Sequence, residues 1–334
     1  MTNRQILLAA RPTGVPKESD FRLVETPIPE PHEGEFRVRN SFVSVDPYMR
    51  GRMNDAKSYA PPFQLGAVIE SRAVGYVEAS NNSKFPEGAA VTGMFGWQEY
   101  AVSNGKGVRH LDPSLAPIST ALGVLGMPGM TAYFGLLDIT NPKPGETVVV
   151  SGAAGAVGSL AGQIAKIQGC RVIGIAGGDD KVSYIVGELG FDGGFNYKTE
   201  HNYVARLGEL CPNGVDVYFD NVGGPITDAV FAHINTKSRT AICGQISEYC
   251  SEKPETGPRL FGKLLVKQSK AEGFLAFQFA DRYKEALPVM ARWLKEGKLK
   301  YREEIVEGIE NAPKAFIGML NGENIGKMLV KVSE

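Results

Sequence analysis

Residues 147–167 read TVVVSGAAGAVGSLAGQIAKI, in which a glycine-rich turn separates an apolar run from a second apolar segment. After the turn, Leu160, Ile164 and Ile167 recur at the spacing of a buried helix face. A buried strand that passes through such a turn into a helix is typical of a βαβ unit with a parallel sheet. The stretch therefore predicts an α/β fold.

The glycines of this turn are Gly152, Gly155 and Gly158. A dinucleotide's pyrophosphate binds to backbone N–H groups that no side chain covers, and the N-terminus of the following helix adds partial positive charge. The spacing is G-x-x-G-x-x-G and differs from the G-x-G-x-x-G fingerprint, but the flanking strand and helix are those of a cofactor site. The turn predicts a dinucleotide site, and the alternative is a tight turn that only packs the helix onto the strand.

The pattern of strand and helix continues along the chain and predicts a doubly wound domain over residues 124–303. The predicted strands are 147–150, 171–176, 193–197, 215–220, 238–243 and 271–276, and the predicted helices run to Gln168 and over 179–189, 203–210, 226–234 and 281–297. Residues 247–258 follow the fifth strand without a regular pattern, so they are expected to form a substrate lid or a solvated connector.

The first 120 residues contain short β-like runs and many prolines, which predict an irregular β-rich domain. The predicted strands include residues 35–45, 66–78 and 89–91, and a buried helix is expected over 121–137. A tail with a helix at 312–320 and a strand at 327–332 has no place in the parallel sheet. The expected domains are therefore 1–123 together with 304–334, and 124–303.

Composition narrows the classes of function. The chain has 334 residues and a formal net charge of −1, so no basic excess is present to bind nucleic acid. No apolar stretch has the length of about 18 residues that indicates a membrane span. The four cysteines, at 170, 211, 243 and 250, lack paired spacing, which is typical of a reduced compartment and predicts a cytoplasmic protein.

The end of the second predicted strand indicates which nucleotide binds. NAD sites place an acid about 20 residues after the glycines, whereas residues 176–178 here read AGG. Lys181 follows on the next helix, where an ammonium can reach a 2′-phosphate, although an exposed helix lysine is the simpler interpretation. NADP is therefore favoured over NAD.

The sequence contains no pattern of metal ligands. The histidines, at 32, 110, 201 and 233, are far apart, and residues 1–123 contain no cysteine. Catalytic zinc needs about three protein ligands and structural zinc about four. We therefore expect no metal, and hydride chemistry carried by a cofactor is the simplest expectation.

Several motifs resemble the zinc-free branch of the medium-chain dehydrogenase/reductase superfamily. They are VDPYMRGRM (45–53), GMPGMTAYFGL (126–136), SGAAGAVGSLAGQIAK (151–166), FNYKT (195–199), YFDNVGG (218–224), ICGQISEY (242–249) and ENAPKAFIGMLNGENIGK (310–327). They are most similar to leukotriene B4 12-hydroxydehydrogenase/prostaglandin reductases, plant alkenal double-bond reductases and bacterial curcumin reductases. Where zinc-dependent relatives carry Gly-His-Glu, residues 66–70 read GAVIE.

The resemblance implies a Rossmann NADP-binding domain joined to a GroES-like catalytic domain. It implies that NADP(H) contacts Gly155, Ala156, Val157, Gly158, Lys181, Tyr197, Asn221, Cys243, Gly244, Gln245, Ile246, Ser247, Tyr249, Phe274, Leu275, Ala276 and Asn324. Independently, Asn221 and Cys243 to Gln245 follow predicted strands at the carboxyl edge of the sheet, where open α/β folds bind ligands. The resemblance also implies a homodimer.

The implied reaction is NADPH-dependent reduction of the carbon–carbon double bond in α,β-unsaturated ketones and aldehydes. Hydride addition to the β-carbon needs stabilisation of charge on the carbonyl oxygen, and a phenol can donate that hydrogen bond. The resemblance assigns this role to Tyr249 and places Tyr48 at the same cleft, although Tyr48 could simply be a packed tyrosine. Quinone reduction and NADPH binding without turnover are the alternatives.

Overall fold

The computed structural model describes residues 2–333 of the chain. These residues form two compact units, one made of the residues up to Gly123 together with those from Glu303 onward, and the other made of Val124–Arg302. We refer to them as the first and second units.

The strands are β1 (Thr2–Leu8), β2 (Phe21–Pro27), β3 (Phe36–Ser44), β4 (Ala73–Ser80), β5 (Ala90–Gly93), β6 (Tyr100–Ser103), β7 (Arg109–His110), β8 (Thr147–Ser151), β9 (Arg171–Ala176), β10 (Gly193–Asn196), β11 (Val215–Asp220), β12 (Ile234–Ile242), β13 (Lys270–Gly273), β14 (Glu303–Glu307) and β15 (Lys327–Lys331). The α-helices are α1 (Tyr48–Arg52), α2 (Met127–Phe134), α3 (Gly158–Ile167), α4 (Asp179–Ser183), α5 (Tyr203–Leu210), α6 (Gly224–Phe231), α7 (Phe261–Lys267), α8 (Tyr283–Lys295) and α9 (Ala312–Leu320).

The second unit contains a six-stranded parallel sheet in the order β10-β9-β8-β11-β12-β13. Every residue of the central strand β8 is buried, which fits a strand with helices on both faces. The order reverses beside β8, so a ligand crevice is expected at the carboxyl ends of β8 and β11. The predicted α/β fold class, with its doubly wound sheet, is confirmed.

The first unit contains a mixed sheet of seven strands in the order β14-β15-β3-β4-β5-β7, with β6 also paired to β3. The C-terminal strand β15 pairs antiparallel with β3 and parallel with β14. Trp97 is fully buried in the core, and its indole N–H donates to the Ser44 carbonyl at 3.0 Å. The β-rich character predicted for this part of the chain is also confirmed.

Several predicted boundaries were wrong. The sixth strand of the parallel sheet was predicted at 271–276, but β13 ends at Gly273 and Ala276 begins a 3₁₀ helix that runs to Arg282. The fifth strand of the parallel sheet begins at Ile234 rather than at 238. In the first unit, the strand predicted at 66–78 begins only at Ala73. Helices 226–234 and 281–297 are α6 and α8, each shorter than predicted at its C-terminal end.

The segment predicted as one buried helix over 121–137 is three pieces. A short 3₁₀ helix covers Ile118–Leu122, α2 follows, and a π-helical turn continues over Gly135–Thr140. Gly123 separates the first two pieces with a backbone that is not helical. Gly129 explains the close packing of α2, because a Cβ there would lie 1.9 Å from the Val124 carbonyl oxygen.

Candidate cofactor and active site

The glycine turn between β8 and α3 leaves a short stretch of backbone accessible. Gly155, Ala156 and Val157 are each partly exposed, whereas Gly158 is buried. A Cβ on Gly155 would meet only the Gly152 carbonyl oxygen, at 3.3 Å. The backbone of residues 155–157 can therefore accept a ligand at the N-terminus of α3.

Gly152 and Gly158 serve the turn itself. Gly152 has φ of +59°, a conformation that other residues adopt only with strain. A Cβ on Gly158 would lie 2.3 Å from the Gly152 carbonyl oxygen, so α3 could not begin so close to the turn with any other residue. Of the three glycines in the pattern, Gly155 is the one whose missing side chain leaves space for a ligand.

The end of β9 has no room for an acidic side chain beside Tyr197. A Cβ on Gly177 would lie 2.8 Å from both the Tyr197 hydroxyl oxygen and a carbon of its ring. Burial raises the pKa of Tyr197, and the nearby Tyr203 raises it further. Asp179 accepts a hydrogen bond from the Asn196 amide at 2.9 Å, while Lys181 on α4 is only 8% exposed. A cation and a protonated phenol therefore lie in the segments that follow β9 and β10.

Hydrogen bonds from Asn221 connect the end of β11 to Ser151, the residue before the glycine turn. Its amide nitrogen donates to the Ser151 carbonyl at 2.7 Å, and its backbone N–H donates to the Ser151 hydroxyl at 2.9 Å. The side chain is thus held at the carboxyl edge of the sheet, next to the turn. Among residues 2–333, this edge is where most of the predicted site residues lie.

A cavity of about 380 Å³ opens at the carboxyl ends of β12 and β13. It is lined by Ile242, Cys243, Gly244, Gln245, Tyr249, Gly273, Phe274, Leu275 and Gln278. Six of these residues were predicted to contact the cofactor, and they come from two separate segments of sequence. Ile246, Ser247 and Ala276, which were predicted with them, do not line the cavity.

Tyr249 lies in the turn that follows β12. Its hydroxyl oxygen accepts a hydrogen bond from the Gln245 backbone N–H at 3.4 Å, and a Cβ on Gly244 would lie 3.1 Å from the same oxygen. The phenol is therefore held against the backbone at the edge of the cavity. Burial raises the pKa of the neighbouring Cys243 thiol to about 12, and the Asp220 carboxylate adds to the shift.

Tyr48 and Asn324 belong to the first unit, unlike the other predicted site residues. Burial raises the pKa of Tyr48, and Asp46 raises it further, so the phenol stays protonated through the neutral range. Asp46 accepts from the Ser44 hydroxyl at 2.6 Å and lies 3.2 Å from the Lys327 ammonium. The Asn324 amide donates to the Gly326 carbonyl at 2.8 Å, a contact within its own turn.

Within residues 2–333, no three His, Cys, Asp or Glu side chains are grouped so that they could hold a metal ion. In the GAVIE segment, Glu70 pairs with Arg52 at 2.6 Å. Over the same residues, none of the helices combines the length and the apolar character that crossing a membrane requires.

Residues 4–111 match the family described as the N-terminal domain of oxidoreductases, and residues 156–292 match the zinc-binding dehydrogenase family. The chain is 43% identical to the NADPH-dependent curcumin reductase of Escherichia coli strain K12, over 99% of this chain and 97% of that protein. It is 41% identical to the NADP(+)-dependent 2-alkenal reductase of Nicotiana tabacum, over 100% and 98%. The crystal structure of CurA from Vibrio vulnificus in complex with NADPH superimposes with a TM-score of 0.94 at 47% identity, over 99% of each chain.

The chain belongs to the medium-chain dehydrogenase/reductase family. The resemblance inferred from its motifs is confirmed, and so is the oxidoreductase class that the resemblance implied. The similarity to the curcumin and alkenal reductases extends over the whole length of those proteins.

Two features of this medium-chain dehydrogenase/reductase were missed from the sequence. Gln278 lines the cavity, but it lies in a 3₁₀ helix, just after the residues that were predicted as the sixth strand. Asp220 was treated only as the last residue of a strand, although it is 1% exposed and accepts several hydrogen bonds. The signal available for Asp220 was an acidic residue directly after the buried run of residues 217–219.

Proposed function

We propose that this protein uses NADPH to saturate the carbon–carbon double bond of α,β-unsaturated ketones and aldehydes. The observation that carries the proposal is the cavity at the ends of β12 and β13, which Tyr249 borders in the unit that also contains the glycine turn. The relatives named for reduction of curcumin and 2-alkenals support the substrate class, and the CurA complex supports the cofactor.

NADPH, when bound, supplies the hydride that adds to the β-carbon. In our proposal the cofactor contacts the full set expected from the sequence: residues 155–158, Lys181, Tyr197, Asn221, residues 243–247, Tyr249, residues 274–276 and Asn324. The accessible backbone at 155–157 fits a pyrophosphate, because no side chain covers it.

Lys181 and Tyr197 are proposed to hold the 2′-phosphate. Lys181 supplies an ammonium, and the phenol of Tyr197, whose pKa is raised, supplies a donor. The ring of Tyr197 also occupies the space beside Gly177, where an acid for a free ribose hydroxyl would be needed. NADPH is therefore preferred over NADH.

The Tyr249 hydroxyl is proposed to donate a hydrogen bond to the substrate's carbonyl oxygen. Its oxygen accepts the Gln245 N–H, which orients the phenol at the edge of the cavity. Charge that develops on the carbonyl oxygen is stabilised by such a donor without any metal. Tyr48 is proposed as a second donor, because the raised pKa keeps its phenol protonated.

The proposal is tested with purified, chelator-treated protein by following NADPH absorbance with an extended enone, a short 2-alkenal and a simple quinone. We expect both conjugated carbonyl compounds to be reduced to their saturated products, with NADH a poor donor. Consumption of NADPH with the quinone alone would replace the proposal with quinone reduction. NADPH binding without turnover of any acceptor would favour a binding protein.

Tyr249→Phe is expected to lower kcat about 100-fold, because the loss of one donor to a developing oxyanion costs roughly that factor. NADPH affinity should change little. Tyr76→Phe removes a hydroxyl from a tyrosine of the first unit that is 40% exposed, and it serves as the control. Equal kcat values in Tyr249→Phe and the parent protein would remove Tyr249 from the mechanism.

We further propose that the activity does not need zinc. The support is the composition of residues 1–123, which contain no cysteine, and the absence of a grouped ligand set in the part of the chain that the structure describes. Full activity is expected after dialysis against a strong chelator. Recovery of lost activity on adding Zn²⁺ would contradict this.

A homodimer is also proposed, with its contact at the edge of the second unit. The edge strand β13 is paired only with β12, so one of its sides carries unpaired backbone groups. The neighbouring helix α7 exposes Phe261, Leu265 and Val266 by 84%, 79% and 76%. An apolar face beside an open strand edge fits a second copy of the chain.

We also propose that the protein is cytoplasmic. This location is supported by the four cysteines, which lack the paired spacing of a secreted disulfide framework. Fractionation of cells that express the tagged protein would test it, and recovery outside the cytoplasmic fraction would contradict it.

A further inference from the structure

Asp220 is the last residue of β11 and is 1% exposed. One of its carboxylate oxygens, Oδ1, accepts four hydrogen bonds. The donors are the Ser151 hydroxyl at 3.1 Å, the Tyr218 hydroxyl at 2.9 Å, and the backbone N–H groups of Val222 and Gly223 at 3.0 and 2.9 Å.

The second oxygen, Oδ2, accepts from the Thr227 hydroxyl at 2.8 Å and from the Gln245 amide at 2.9 Å. The six donors therefore come from β8, β11, the start of α6 and the segment after β12. An ionised carboxylate only accepts hydrogen bonds, and several donors can share its lone pairs, so it suits a site surrounded only by donors. A buried charge without such bonds would be costly.

A carboxylate that only capped α6 would need the bonds from Val222, Gly223 and Thr227. Three further bonds have no role in a cap, and one of them, from the Tyr218 hydroxyl, stays within β11. The bond from Ser151 joins the glycine turn, and the bond from Gln245 joins the cavity wall that carries Tyr249. Asp220 is thus the common acceptor for the two segments that are proposed to hold opposite parts of NADPH.

We infer that Asp220 is a positioning residue that sets the glycine turn and the Gln245–Tyr249 segment in one binding geometry. The inference rests on the proposed function, since it assigns a role in holding NADPH. The backbone of Asp220 reinforces this link, because its carbonyl accepts the N–H groups of Cys243 and Gly244 at 2.8 and 3.1 Å. Gln245 also approaches the backbone of Gly223 closely, since its side-chain oxygen lies 2.2 Å from the position that a Cβ on this glycine would take.

Asp220→Asn tests the inference with little change in size. Either orientation of the new amide turns an NH₂ group toward existing donors, because donors approach both oxygens of Asp220. We expect the dissociation constant of NADPH, measured by fluorescence titration without substrate, to rise about tenfold or more, as for loss of a bond to a charged group. The KM for NADPH should rise with it.

The exchanged pair Asp220→Asn with Gln245→Glu restores an amide-to-carboxylate bond with its direction reversed. We expect this double variant to bind NADPH at least about threefold more tightly than Asp220→Asn alone, the gain of one ordinary hydrogen bond. Recovery should be incomplete, because the Gln245 amide also donates to the Gly244 carbonyl at 2.9 Å. A role in folding alone gives no reason for such a rescue of affinity.

Asp216→Asn is the matched control on the same strand. Asp216 lies near the opposite end of β11 and accepts from the Thr147 N–H at 2.9 Å and the Asn235 amide at 2.8 Å. We expect it to lower the thermal midpoint without changing the dissociation constant of NADPH. Equal weakening of NADPH binding by Asp216→Asn and Asp220→Asn would overturn the inference.

Ser151→Ala decides the matter if Asp220→Asn does not fold. It removes the bond between the glycine turn and Asp220, together with the bond that the Ser151 hydroxyl accepts from the Asn221 N–H, and we expect the dissociation constant to rise at least about threefold. An unchanged constant would overturn the inference. Because binding is measured without substrate, a parent protein that binds NADPH but reduces no enone would contradict the proposed function and leave the role of Asp220 intact.

Discussion

In our proposal, selection of the 2′-phosphate depends most on the side chain of Lys181. Its replacement by alanine removes one charge-assisted contact, for which a loss of about 1.5–3 kcal/mol is usual. We therefore expect Lys181→Ala to raise the KM for NADPH by roughly tenfold to a hundredfold and to leave the KM for NADH unchanged. Steady-state kinetics with both cofactors measures the difference.

Lys284→Ala is the control for this experiment. Lys284 is an exposed lysine near the start of α8, as Lys181 is near the start of α4, and it lies in the same unit. Its loss should leave both KM values unchanged. A parallel rise for NADH and NADPH in Lys181→Ala would mean that the lysine supports the fold and does not select the nucleotide.

Cys243 lines the same cavity as Tyr249, which we propose contacts the carbonyl oxygen of electrophilic enals, yet the Cys243 thiol is a poor nucleophile. With a pKa of about 12, its thiolate fraction at pH 8 is on the order of a thousandfold below that of a free thiol. Labelling by N-ethylmaleimide at pH 8, followed by peptide mass spectrometry, should show Cys243 reacting at least about a hundredfold more slowly than glutathione. Rapid labelling of Cys243 in the folded protein would be inconsistent with this.

The sequence indicated the residues that belong to recognisable motifs, such as Tyr197 and Tyr249, because their neighbours in the chain identify them. Asp220 also lies in a motif, YFDNVGG, but the motif did not indicate its role, and Gln278 lies outside every motif. The role of Asp220 depends on donors from residues as far apart as Ser151 and Gln245, which only the fold brings together. A residue that acts through distant partners has no local pattern from which its role could be predicted.

At the scale of elements, two glycines of the turn between β8 and α3, Gly155 and Gly158, have different roles. Gly158→Ala places a methyl group against backbone atoms, and overpacking of this kind costs about 1–3 kcal/mol. Gly155→Ala meets only one atom at 3.3 Å. We expect Gly158→Ala to lower the thermal midpoint by several degrees, and Gly155→Ala to leave it unchanged while it weakens NADPH binding.

Thermal unfolding and NADPH titration of the two glycine variants check this prediction together. The contrast matters because both glycines lie in the same motif. If Gly155→Ala bound NADPH as well as the parent protein, the accessible backbone at 155–157 would not be the pyrophosphate site.

Helices with local signals were predicted well. The bounds of α5 were predicted to the residue, and the structure shows why: the Asn202 side chain accepts from the Ala205 N–H at 3.0 Å and marks the first turn. The helix α7 was missed; within the described chain none of its residues is fully buried, although the partly buried Leu264 packs against the core. The end of β13 was misplaced because the residues after it remain apolar, although they form a 3₁₀ helix.

At the scale of the whole molecule, the proposed dimer makes a direct prediction. Phe261 and Leu265 are four residues apart on α7, so they share one face of the helix. Replacement of both by glutamate should convert a dimer into a monomer, as measured by sedimentation velocity. Leu115→Glu is the control, because Leu115 is 83% exposed in the first unit and should not affect association. A parent protein that sediments as a monomer would contradict the proposal.

The first unit is stabilised by an ion pair between Lys327 of β15 and Asp46, whose side chains are 4% and 8% exposed. Burial lowers the pKa of Lys327, and Asp46 opposes that shift. Asp46→Asn leaves the ammonium buried without its charge partner, which typically costs about 3–5 kcal/mol. We expect a clear fall in the thermal midpoint, whereas Glu296→Gln, which breaks the exposed pair with Lys298, should have no measurable effect.

The pairing of β15 with β3 has a consequence for synthesis on the ribosome. Lys331 pairs with Phe42, so one strand of the first sheet emerges long before its neighbour. At about 5–20 residues per second, the interval is roughly 15–60 seconds, during which the continuous second unit can already fold. Residues 42–44 of β3 lack their β15 partner for that time, and we expect the nascent chain to depend on chaperones until β15 has emerged.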